Sequence, residues 1–133
     1  MNNDNFKELS PKPQKGLYSS AHIVSGIPIP KTQRVQLFSA YEWEEFTEEW
    51  ASSLESSYHC VKRFAGAGDK GLDVVGFILS NQFSDGWDNY QCKFYEKPLT
   101  PTDIWVEFGK IIYFTYCGEY PLPRKYYFVA PKH

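Results

Sequence analysis

Two apolar runs separated by a polar break, between positions 65 and 95, constrain this chain more than any other feature. The first reads A-G-A-G-D-K-G-L-D-V-V-G-F-I-L; after Ser80 come N-Q-F-S-D-G-W-D-N and then Y-Q-C-K-F-Y. β-Branched and aromatic runs punctuated by Gly, Asn and Asp predict two neighbouring strands. Successive strand residues point to opposite faces, so Gln91 and Lys93, two apart, share one face. Asp73 stands near the start of the first run. An acid, an amide and a lysine inside buried strands cost free energy unless each has a partner or a task. Chemistry is expected at these three positions.

The remaining elements follow from period and punctuation. Tyr41–Ser56 predicts a helix with Ser39 as N-cap, acids in its first turns, and Trp43, Phe46, Trp50 and Leu54 as its apolar stripe. Tyr58–Phe64 predicts a strand, Gly66–Gly71 a tight turn, Leu72–Leu79 the second strand, Asn81–Asn89 a turn and Tyr90–Tyr95 the third. K-P-L-T-P-T-D opens a second helix, with Thr100 or Thr102 as cap and Pro101 at or near its first position. Its expected buried stripe is Trp105, Phe108, Ile112 and Tyr116, with Gly109 permitting close packing and Gly118 as the stop. After P-L-P a final strand spans Lys125–Ala130. The order α-β-β-β-α-β predicts an α/β fold with a mixed sheet, its helices flanking four central strands. Residues 1–40, with four prolines, read as an extended arm or linker in which Gln33–Phe38 forms a short edge strand. Residues 41–133 read as the domain. The chain stops just past its last strand, which suggests a portion of something longer.

Composition removes several classes. The chain has 133 residues, 42% hydrophobic and 18% aromatic, enough for one domain with a real core and too apolar for disorder. No run of about 18 apolar residues occurs, and M-N-N-D-N-F-K-E lacks an apolar signal region, so a soluble, cytoplasmic chain is expected. Cys60, Cys92 and Cys117 are odd in number, have no C-x-x-C spacing and sit in apolar runs; they read as buried free thiols. G-A-G-D-K-G matches G-x-G-x-x-G, but it opens a strand rather than a helix, so a dinucleotide site fails on context. The phosphate-loop sequence and the kinase signatures are absent from the sequence. The formal net charge of −2 gives no general argument for nucleic acid. Residues 1–40 carry five basic and two acidic side chains, residues 41–133 nine and fourteen. An acidic body that binds a polyanion needs local basic patches or a cation.

With the strand order in hand, G-D-K-G-L-D-V-V-G followed by Y-Q-C-K resembles the restriction-endonuclease-like PD-(D/E)XK superfamily, and within it the Mrr-like branch, where Q-x-K replaces an acid-x-lysine. The W-E of Y-E-W-E-E-F is similar to an aromatic-Glu that opens the branch's first helix. The resemblance spans roughly residues 41–130. It implies a nuclease domain of restriction or anti-phage defence that cuts DNA with Mg²⁺ or Mn²⁺. Asp73 would be the metal-binding acid, Gln91 the second ligand, Lys93 the catalytic lysine and Glu44 the helix acid, with Glu48 and Glu49 competing for that role. The main-chain carbonyl of Cys92 would complete the protein's ligand set. An amide in place of the usual second acid removes one negative charge and weakens metal binding. Oxygen donors suit a hard ion that keeps several waters, and Lys93 would stabilise hydroxide and the charge developing on phosphorus.

Three readings stand beside one another. One is this metal-dependent endonuclease, with a homodimer or a further domain or defence protein as partner. Another is a catalytically silent member that binds nucleic acid or a protein. The third is an interaction scaffold, suggested by the aromatic load. For Asp73 and Lys93 alone, a structural ion pair across two strands is the bland alternative.

Overall fold

The computed structural model describes residues 26, 28–54, 57–66, 68–94 and 97–131. Its contacts divide the chain into Met1–Lys31 and Thr32–His133, and the two long helices and four strands below belong to the second unit. Most of the expected arm lies outside the described residues. Where an edge strand over 33–38 is expected, the chain instead makes a helical turn, Lys31–Arg34, and a 3-10 turn, Val35–Leu37.

Helix α1, Ala40–Ser52, begins where the sequence caps it. Ser39 Oγ accepts from the Glu42 amide at 3.2 Å, and the Ser39 amide donates to Glu42 Oε2 at 2.6 Å. Helix α2, Pro101–Tyr116, repeats the device with Thr100 and Asp103, and Pro101 opens it with the φ a first turn needs. Gly118 follows its C-cap at φ +78°, the left-handed turn that ends a helix.

Four strands form one sheet: β1 Cys60–Arg63, β2 Val74–Phe77, β3 Trp87–Cys92 and β4 Lys125–Val129. They lie in the order β1-β2-β3-β4, the first two pairings antiparallel and β3–β4 parallel. Parallel neighbours need a crossover, and α2 is that crossover. The strand β3 begins at Trp87, inside the stretch read as a turn. Asp88 looks like a turn residue, yet it is buried in the strand because Arg124 grips it at 3.0 and 2.9 Å and the Tyr58 hydroxyl donates to it at 2.8 Å. Tertiary partners here override a local preference.

Strand alternation sorts the core into two faces. Leu72, Val75, Phe77 and Trp87 meet Ile111 of α2 and Tyr120 on one face, and Val74 and Tyr90 meet Ala51 of α1 on the other. Completely burying a Phe or a Val side chain, as at Phe77 and Val75, contributes about 1.5–3 kcal/mol each. Both helices differ in phase from their apolar periodicity. The buried side of α1 is Trp43, Thr47 and Ala51, while Phe46 and Trp50 are exposed. Small side chains bring the helix close to the sheet, and the large rings fall to the flank. In α2 the buried residues are Glu107 and Ile111, while Trp105, Ile112 and Tyr116 face outward. Nor does Gly109 serve close packing within the protomer, since a Cβ there would meet nothing within 4 Å.

All three cysteines are free thiols, with Cys60 and Cys92 half-buried. Cys117 is exposed rather than buried because it caps α2. Among the described residues, no helix is long and apolar enough to cross a membrane.

Candidate functional site

Asp73 immediately precedes β2, and its carbonyl accepts from the Phe64 amide at 2.7 Å, which extends the β1–β2 hairpin ladder. Gly71, at φ +76°, turns the chain into this position. By alternation Asp73 continues the face of Val75 and Phe77, and Gln91 continues the face of Trp87 and Asn89, the face that α2 covers.

The side chains meet. Gln91 Nε2 donates to Asp73 Oδ2 at 2.6 Å, and the Cys92 amide donates to the same oxygen at 2.8 Å. The hydroxyl of Tyr126, on β4, donates to Gln91 Oε1 at 3.2 Å. Lys93 follows β3, held to β4 by its amide on the Val129 carbonyl at 2.9 Å. Its Nζ donates to Glu107 Oε1 at 2.6 Å, and Lys110 Nζ reaches the two Glu107 oxygens at 3.1 and 3.3 Å. Glu107 is nearly inaccessible to solvent.

Charges from both helices act on Asp73. Burial pushes its carboxyl up to about 6; the Cys92 amide opposes this, Glu44 and Glu107 add to it, and Lys93 lowers it. Burial also raises the Glu44 carboxyl, against the pull of Arg63 and Lys93. The neighbouring acids are turned elsewhere: Glu45 and Glu48 lie 3.6 and 3.5 Å from Arg63. Of the acids of α1, Glu44 is the one whose charge is felt at Asp73. At Glu107 burial pushes upward, but the bonds from Lys93 and Lys110 outweigh it and hold the carboxyl below its ordinary range.

The expected residues Asp73, Gln91, Lys93 and Glu44 thus share one electrostatic neighbourhood, joined by Glu107, Lys110 and Tyr126, which the sequence reading did not single out. Glu107 left one signal: an acid between Val106 and Phe108 in a charge-poor helix. Among the described residues, no group of three or more His, Cys, Asp or Glu side chains is placed to hold a metal ion. What the site offers a hard cation is the Asp73 carboxylate, the Gln91 amide and main-chain oxygen, in a field to which Glu44 adds negative charge while Lys93 offsets that of Glu107. Gln91 turns its nitrogen to Asp73 and its oxygen to Tyr126. Half a turn of the amide would bring the oxygen beside Asp73, and the Tyr126 hydroxyl, able to donate or accept, would then accept from Nε2. The donor set fits an oxygen-loving ion on that condition. No family model, curated protein or solved structure matches the chain.

Proposed function

We propose that this domain is a PD-(D/E)XK-type nuclease that hydrolyses phosphodiester bonds in DNA with Mg²⁺ or Mn²⁺. The observation that carries the reading is the junction of Asp73 and Gln91 at 2.6 Å with Lys93 two residues on, on the sheet face shared with Glu107. The β-β-β-α-β order with a parallel β3–β4 pair supports it further. Asp73, Gln91 and the main-chain carbonyl of Cys92 would hold the ion. When bound, such an ion supplies Lewis-acid polarisation of the phosphate and a more acidic water. Lys93 contributes positive charge where the attacking hydroxide and the phosphoryl oxygens become negative. Glu107 orients Lys93; Glu44 deepens the negative potential around Asp73.

One observation favours a silent, binding-only domain: the Gln91 amide nitrogen on Asp73 and the Lys93–Glu107 pair are polar contacts that form without an ion. Incubating supercoiled plasmid with the protein and Mg²⁺, Mn²⁺ or a chelator separates the two. Cutting is expected with either ion, stopping with chelator and weakened in Asp73→Asn at the same ion concentration. DNA retention without cutting under either ion would establish the silent reading instead.

A further inference from the structure

The outward face of α2 is apolar to a degree that a solvated helix has no reason to be. Trp105 is 70% exposed and Tyr116 90%, and Val106, Ile112 and Tyr113 are each more than half exposed. At 100° per residue these five and Gly109 fall within an arc of roughly 120°, with Gly109 at its centre. Asp103, Glu107 and Lys110, the only charged residues of the helix, all lie outside it. Soluble monomers seldom leave so large a contiguous apolar patch bare.

Two features identify the occupant. The first is symmetry about Gly109. An aromatic residue stands four positions before it and another four after, Trp105 and Tyr113; an aliphatic stands three before and three after, Val106 and Ile112. A two-fold axis through Gly109, perpendicular to the helix, sets each residue opposite its mirror position in an antiparallel copy. Trp105 then meets Tyr113 of the second copy, and Val106 meets its Ile112. Such self-complementarity is what an isologous interface requires and what a foreign partner would have no cause to produce. The second feature is Gly109 itself. Mid-helix glycine costs about 1 kcal/mol relative to alanine, and a Cβ at this position would meet nothing within the protomer. The glycine is of use only to something that approaches from outside, and at the crossing point it lets two helices come close. The five large side chains expose roughly 700 Å² between them, close to the ~800 Å² that one partner contributes to a standard interface.

We infer that α2 is a dimerisation helix, crossing its counterpart from a second copy of this chain antiparallel at Gly109. Sedimentation and light scattering of the full 133-residue chain test this directly. The parent is expected at twice its 15.5 kDa mass at tens of micromolar. Gly109→Glu should weaken association at least about tenfold with unchanged far-UV circular dichroism; Gly109→Ala, which favours the helix, should weaken it in the same direction. Trp105→Lys and Tyr113→Glu should each run as monomers, and an equimolar mixture of the two should recover dimer, because only the heterodimer sets lysine against glutamate. A monomeric parent at 100 µM would overturn the inference, leaving another segment or a foreign partner to cover the face. So would a dimer indifferent to Gly109→Glu, or a mixture that does not reassociate.

Discussion

Asp73 holds its proton to about pH 6 in the folded chain, against 3.8 as the ordinary value. Between those values the folded protein keeps a proton that the unfolded chain has released. Unfolding free energy therefore falls as pH rises through this window, and the loss is complete above it. Asp73→Asn should remove that slope. At pH 7 the variant is expected to gain on the order of 1–3 kcal/mol relative to its own deficit or surplus at pH 3.5. Urea melts of both proteins from pH 3.5 to 8 check this, and a difference constant with pH would contradict the raised carboxyl. Lys93 and Glu107 form the complementary case. Removing one member of a buried pair costs about 3–5 kcal/mol, whereas replacing both by apolar groups costs far less. Glu107→Ala should fall in that range and Lys93→Met with Glu107→Leu well below it, measured in the same melts. Additive losses in the double variant would mean that the two side chains do not depend on each other.

At the scale of elements, Gly76 of β2 lies beneath Tyr58, whose ring carbon Cε1 would be 2.5 Å from an added Cβ. Tyr58 cannot yield easily, since its hydroxyl is bonded to Asp88 and Tyr90. Gly76→Ala should cost about 1–3 kcal/mol through overpacking, and Tyr58→Ala in the same chain should relieve the clash. On α1, Trp43 is buried and its indole N–H donates to the Val129 carbonyl at 2.9 Å, whereas Trp50 is 43% exposed and touches the Tyr90 ring edge-on. Trp43→Ala is expected to cost about 3–5 kcal/mol and Trp50→Ala about 1–2. Equal losses would mean that the helix is turned as its apolar stripe suggests. That stripe shows what the sequence could and could not convey. Caps, glycine stops and strand alternation are local, so both helices, all four strands and the shared face of Asp73, Gln91 and Lys93 were legible. Helix rotation was not, because periodicity counts apolar residues without knowing which face meets the sheet. Thr47 and Ala51 pack closest by being small, and α2 carries its largest side chains on the face inferred to meet a second copy. Glu107 was hidden for a related reason: a lone helical acid ordinarily faces water, and only the position of Lys93 gives this one a reason to be inside.

For the whole molecule, the order β1-β2-β3-β4 with α2 as crossover delivers the start of β2, the end of β3 and the inner face of α2 to one place. Helix α1, on the opposite face, sends Glu44 toward the same place. On the proposed nuclease reading, a body with more acidic than basic side chains would need a cation's help to meet DNA there. Ligand and catalyst are separable by how each variant responds to that cation. An ionised oxygen in place of a neutral one should strengthen metal binding, so Gln91→Glu should cut at lower Mg²⁺ than the parent. Asp73→Asn should need much more. Lys93→Ala should bind the ion yet not cut. The decisive measurement is the initial rate of supercoiled plasmid cleavage against Mg²⁺ concentration for the parent and these three variants. The expected result is a curve shifted to lower Mg²⁺ for Gln91→Glu, to higher Mg²⁺ for Asp73→Asn, and flat at background for Lys93→Ala at every concentration. Parental cleavage by Lys93→Ala would contradict the proposed site.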